Sequence, residues 1–108
     1  MLKKKNRADT KAIDEIFAKG KFLNSPHLTF KFILQKNNAV PRISFIAPKS
    51  VAKFAVKRNT LRRKGYTALA KYITKFPAGL IGAFIFRKYQ DDKAILDNEI
   101  KNILSKIS

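Results

Sequence analysis

The sequence predicts an α+β fold: a single-domain αβββαβα sandwich over residues 1–108, its helices packed on one four-stranded mixed sheet. Three observations carry this. Apolar residues recur at helical spacing in three stretches, and they alternate between His27 and Leu34. A short, strongly apolar stretch, Leu80 to Arg87, separates the second and third helical stretches. With 108 residues and 45% hydrophobic content, the chain suffices for one modest core and is too apolar for wholesale disorder.

Residues 9 to 19 read as a short helix, with Asp9 or Thr10 as cap, Ala12, Ile13, Ile16 and Phe17 at helical spacing, and Gly20 as its stop. Phe22 and Leu23 start a short strand before the Asn24-Ser25-Pro26 turn. From His27 to Leu34 a strand places Leu28, Phe30, Phe32 and Leu34 on one face and Thr29, Lys31 and Ile33 on the other. Lys36-Asn37-Asn38 reads as a hairpin turn, with Arg42 to Ala47 as the returning strand and Pro41 at its start. After a basic connection, Pro48 to Lys53, the main helix is expected from about Ala55 to Lys75, closed by Phe76-Pro77-Ala78-Gly79. Leu80 to Arg87 suits a central buried strand. Asp91-Asp92 caps a last helix with a stripe of Ile95 or Leu96, Ile100, Ile103, Leu104 and Ile107.

Charge narrows the function. Lys and Arg number 24 against 7 acids, a formal net charge of +17. All seven acids, Asp9, Asp14, Glu15, Asp91, Asp92, Asp97 and Glu99, lie toward the ends, and the 75 residues from Ile16 to Gln90 contain none. Sixteen of the Lys and Arg fall in that middle, which predicts a continuous positive face for a polyanion. An anionic membrane would need a clean apolar helix face opposite the basic one, and the most basic stretch has none. No apolar run approaches the roughly 20 residues that span a bilayer. Met1-Leu2-Lys3-Lys4-Lys5 is not followed by an apolar signal segment, so a soluble, cytoplasmic protein is expected. Zero cysteines exclude disulfides and thiolate metal sites.

The stretch Lys53 to Lys64 is the most informative. At 100° per residue, Leu61, Gly65, Ala68, Leu69, Tyr72 and Phe76 share one face. Asn59, Arg62, Arg63 and Tyr66 fill an adjacent sector, and Lys57, Lys64 and Lys71 lie on the opposite flank. Arg58 points close to the core direction at the very start. A merely solvated face would mix signs for i,i+4 pairing, and here no acid is at hand. Arg forks suit phosphate oxygens, and Asn59 can address a base edge or a 2′-OH. Gly65, costly in a helix interior, implies close approach of the sheet or a ligand.

Ala55-Val56-Lys57-Arg58-Asn59-Thr60-Leu61-Arg62-Arg63, preceded by Ser50-Val51-Ala52-Lys53, resembles the signature of the bacterial ribonuclease P protein component. The resemblance extends to Ile16-Phe17 before Gly20 and to the order of strands, and so covers nearly the whole chain. It implies a ribosomal-protein-like αβββαβα fold with a left-handed βαβ crossover, against the general right-handed rule. It also implies a protein subunit with no catalytic residue of its own. The RNA subunit cleaves precursor tRNA with Mg²⁺ and water, the metal sitting on the RNA. The protein binds that RNA through the basic helix and holds the substrate's 5′ leader between its first helix and the sheet.

Carried over by position, Arg58, Asn59, Arg62 and Arg63 face the catalytic RNA, with Lys53, Lys57, Lys64 and Tyr66 beside them. Phe17 matches an aromatic of the leader cleft, and Thr29 and Lys31 are its expected neighbours. Thr60, Tyr66 and Ile13 depart from the family pattern, standing where an Arg, a basic residue and a Phe are usual. The other aromatics read as core. His27 has no carboxylate nearby in sequence, which argues against a ligand or general-base role, and the acid-free middle argues against a protein nuclease acting alone. The alternative is a non-catalytic ribosomal or RNA-assembly protein, which explains the charge but not the ordered signature.

Overall fold

The structure, a computed structural model, describes residues 6–107, so the basic Met1–Lys5 start lies outside the described residues. Helix α1 (Thr10–Lys19) leads into strands β1 (Lys21–Asn24), β2 (Leu28–Leu34) and β3 (Arg42–Ile46). Helix α2 (Ala55–Ala70) follows, then a short 3-10 turn (Ile73–Lys75), strand β4 (Leu80–Phe86) and helix α3 (Lys93–Ile107). The order αβββαβα and the four-stranded mixed sheet are as the periodicities predict. Asp9 caps α1 by accepting from the Ala12 N–H at 2.8 Å, and Asp92 caps α3 by accepting from Ala94 at 2.8 Å. Among the described residues no helix is long and apolar enough to cross a membrane.

The sheet order is β1-β2-β4-β3, and this corrects the hairpin expected at Lys36-Asn37-Asn38. β2 pairs antiparallel with β1 and β4, while β3 pairs with β4 in parallel. The reason lies in β4 itself. Leu80-Ile81-Gly82-Ala83-Phe84-Ile85-Phe86 is apolar on both faces and gains most from the central position. The segment after β2 therefore has to cross β4 to reach β3. It does so around Gly79, which accepts from Gln35 N at 2.9 Å and donates to Ala39 O at 2.8 Å. Gly79 has φ +80, and a Cβ there would lie 2.2 Å from the Gln35 carbonyl oxygen, so glycine is required. The main helix is also shorter than expected: its regular part ends at Ala70, before the 3-10 turn.

One sheet face carries Leu28, Phe30, Ile43, Phe45, Leu80, Phe84 and Phe86, and α2 and α3 cover it with Leu61, Ala68, Leu69, Leu96, Ile100, Ile103 and Leu104. α1 alone covers part of the other face, where Ala8, Ala12 and Ile16 pack on Ile81. Phe84 stacks between Phe30 and Phe45, with ring centroids 4.3 and 5.0 Å away, and Phe45 meets Tyr66 of α2 edge-on at 5.3 Å. A Cβ on Gly65 would fall 2.5 Å from the Phe45 ring, so it is the sheet, not a ligand, that approaches this glycine.

The handedness of the β3–α2–β4 crossover follows from one residue. Phe45 turns its side chain toward α2 and its N–H outward, away from β4, to the Tyr66 hydroxyl at 3.0 Å. In a strand of L-residues running upward, a side chain facing the viewer puts that residue's N–H to the right. β4 therefore lies to the left when viewed from α2, and the crossover is left-handed, the exception to the rule.

Glu99, only 5% exposed, ties α3 to the turn between β1 and β2. It accepts from Ser25 Oγ and from the His27 N–H at 2.8 Å, and its other oxygen lies 2.7 Å from His27 Nδ1. His27 thus has a carboxylate partner after all, supplied from 72 residues away, and the pair is an anchor of the turn.

Gly65→Ala tests the α2–sheet contact. Helix propensity favours Ala by about 1 kcal/mol, while overpacking against a buried ring costs about 1–3 kcal/mol. The expected net loss of up to about 2 kcal/mol should appear as a lower midpoint in denaturant unfolding.

Candidate nucleic-acid interface

α2 begins without the devices that usually stabilise a helix start. Its N-cap residue is Phe54, which makes no side-chain cap hydrogen bond, and its first turn holds no acid. A Ser or Asp at that position would add about 1 kcal/mol. Instead Lys53, Lys57, Asn59, Arg62 and Arg63 are all exposed around the positive end of the helix dipole. Later turns hold the helix down through Leu61, Gly65, Ala68 and Leu69. The basic start is thus an exposed projection carried by a buried continuation.

Within it the expected residues divide into two groups. Arg62 donates through Nη2 to Asn59 Oδ1, which joins these two side chains into one polar unit one helical turn deep. Arg63 is exposed and borders clefts on both sides of α2. The larger, about 470 Å³, is lined by Arg7, Phe45, Asn59, Arg62, Arg63 and Tyr66. Arg58, Lys64 and Tyr66, by contrast, have structural partners. Arg58 Nη1 donates to the carbonyls of Ala52 and Lys53, at 3.0 and 2.8 Å, and locks the loop onto the helix start. Lys64 Nζ donates to the Asp91 carbonyl at 3.0 Å and ties α2 to the segment before α3. Tyr66, half-buried, accepts the Phe45 N–H on the free edge of β3.

Arg7 was not singled out by sequence reasoning. Its guanidinium carbon lies 4.6 Å from the Tyr66 ring centroid, which brings the segment before α1 against α2. Asn6 donates to the Pro41 carbonyl at 3.2 Å, and the Ala8 carbonyl accepts from Ser44 Oγ at 2.7 Å, holding this segment across β3. Nothing in the local sequence signals these contacts, because each joins residues more than thirty positions apart.

The second cluster lies on the sheet face that α1 covers. α1 packs at the Ile33–Ile81 end, and beyond it Thr29, Ile46 and Ile85 stay only half-buried. Phe17, 46% exposed on α1, has the Lys31 ammonium 5.1 Å from its ring centroid. Thr29 donates to Asn24 Oδ1 at 2.8 Å. Register pairs Lys31 with Phe22 and Thr29 with Asn24, which puts all four on this face. Phe22, 62% exposed, is an aromatic that the strand reading alone did not bring to this cluster. Only the β1–β2 pairing does.

An α+β scaffold with a basic, exposed helix start and an aromatic–lysine cluster on the opposite sheet face has the electrostatic footprint of the nucleic-acid-binding class. The chain matches the Ribonuclease P family over residues 1–108. It therefore belongs to that family, whose members are protein subunits of a tRNA-processing ribonuclease. This separates it from the ribosomal or assembly alternative. Its fold is similar to that of the RNase P protein from Thermotoga maritima, with a TM-score of 0.81 and 20% identity, covering 94% of this chain and 97% of that one. The Staphylococcus aureus RNase P protein superposes with a TM-score of 0.78 at 15% identity, covering 96% and 95%. No curated protein sequence matches the chain.

Tyr66→Phe removes the acceptor for the Phe45 N–H and nothing else. Denaturant unfolding should show a loss of about 1 kcal/mol, with RNA affinity of the folded protein unchanged. An unaltered midpoint would mean that the edge bond contributes nothing.

Proposed function

We propose that the two clusters divide the work of one ribonuclease P subunit, α2 binding the catalytic RNA and the α1–sheet face holding the 5′ leader of precursor tRNA. The observation that carries this reading is the exposed Asn59–Arg62–Arg63 group on a helix start with no neighbouring acid, in a chain of this family. Arg62 and Arg63 present planar forks to phosphate oxygens, Lys53 and Lys57 add point charge, and Asn59 orients Arg62. Arg58 and Lys64 act beneath them by holding the helix start and its flank.

On the other face Phe17 offers a ring for an unpaired base, and Lys31 neutralises the adjoining phosphate. Thr29 and Asn24 add hydroxyl and amide groups within the same strand pair. Hydrolysis itself belongs to the RNA in this proposal, with Mg²⁺ bound there to activate water. Among the described residues no group of three or more His, Asp or Glu could hold a metal ion. Such a subunit works in the cytoplasm, where its partners are the catalytic RNA and precursor tRNA.

The test is 5′ processing of precursor tRNA by a cognate catalytic RNA at low Mg²⁺, with and without this protein. Stimulation is expected, and no stimulation would overturn the proposal. Arg62→Ala with Arg63→Ala should weaken RNA binding roughly ten-fold or more and flatten the salt dependence of log K by about 1 to 2.

Phe17→Ala probes the leader separately. Affinity for leader-bearing precursor should fall roughly ten-fold, with affinity for leaderless tRNA and for the catalytic RNA unchanged. Equal affinities for the leader-bearing precursor would return Phe17 to a packing role.

A further inference from the structure

Phe54 is 67% exposed, the most exposed aromatic among the described residues, and it packs on neither hydrophobic cluster. It stands at the N-cap of α2, where a polar side chain would stabilise the helix and Phe cannot. The Lys53 ammonium lies 6.0 Å from its ring centroid. This repeats the arrangement of Phe17 with Lys31, at 5.1 Å, on the other face of the molecule. The ammonium lies over one face of the ring, so a base would stack on the opposite face and its phosphate would pass beside the lysine. Lys49, Lys53 and Lys57 are exposed along the same stretch, as is Val56 at 73%, and the residues from Ile16 to Gln90 include no acid.

We infer that Phe54 is a stacking platform for an unpaired base of the catalytic RNA, a contact that fixes the register of α2 on that RNA. An apolar protein partner would have to desolvate the surrounding lysines without compensation, whereas an RNA strand meets both ring and charge. Lysines alone bind phosphates in any register along a backbone. A ring that accepts one extruded base selects a single register, which converts a general electrostatic attraction into a defined seat.

The inference rests on the assignment of α2 to the catalytic RNA, and the experiment separates the two. The chain contains no Trp, so Phe54→Trp introduces a single indole. Titration with the catalytic RNA should quench its emission while affinity stays within about two-fold of the parent, because stacking accepts any aromatic ring. Phe54→Ala should weaken binding about five-fold or more and leave the salt slope unaltered, in contrast to Arg62→Ala with Arg63→Ala, which lowers the slope. Circular dichroism should show the fold unchanged, since the ring is exposed. Unchanged affinity for Phe54→Ala with an unquenched indole would overturn the inference while the arginine result still stood. Loss confined to leader-bearing precursor, or a shift of oligomeric state on Phe54→Ala, would also overturn it by assigning the ring to the leader or to a second copy.

Discussion

Phe84 lies stacked between Phe30 and Phe45, and this arrangement exists only because β4 is inserted between β2 and β3. Most of the rest depends on that insertion. Aromatic pairs of this kind add about 0.5–1.5 kcal/mol each beyond the area they bury. The run continues from Phe45 to Tyr66, so the central strand sets the position of α2 through three consecutive rings. Parallel pairing of β3 with β4 requires a crossover, α2 is that crossover, and Gly65 lets it approach the sheet closely. The basic helix start is thus held by its own later turns against the ring stack at the centre of the core.

Four of the seven acids are engaged within the fold. Asp9 and Asp92 cap helices, Glu99 is buried under Ser25 and His27, and Asp97 accepts from the Tyr72 hydroxyl and faces Lys71 at 3.6 Å. The Asp97 carboxylate pushes the Tyr72 phenol above its ordinary range, chiefly through that hydrogen bond. These carboxylates work inside the protein as caps and ties. Of these four, Asp97 meets α2 at Lys71, its far end, away from the Asn59–Arg62–Arg63 start.

The same side-chain type serves different ends according to its neighbours. Arg62 and Arg63 project from α2, while Arg58, four residues before Arg62, folds back on the Ala52 and Lys53 carbonyls. Lys57 is exposed and Lys64 is tied to the Asp91 carbonyl. Removing all of these charges together would therefore mix the loss of exposed charge with a loosened helix start. Rim charges and anchoring charges need separate substitutions.

How much of this was legible in the sequence follows the range of each interaction. The helices, their caps at Asp9 and Asp92, the α2 core face and the acid-free middle depend on residues a few positions apart, and periodicity exposes them. So does the ordered signature at Ala55–Arg63, which already pointed to the family. Strand order was not legible. Lys36-Asn37-Asn38 has good turn chemistry, but local turn preference is outweighed by the apolar area that β4 buries at the centre of the sheet. Nor could sequence bring Glu99 to His27, Arg7 to Tyr66 or Phe22 to Lys31, since each pair meets only after the sheet has formed. The sequence by itself determined a helix whose first turns are basic, within an acid-free middle. Tertiary structure decided which of its cations project outward and which hold the fold, because only packing supplies carbonyl partners for some and leaves the others to solvent.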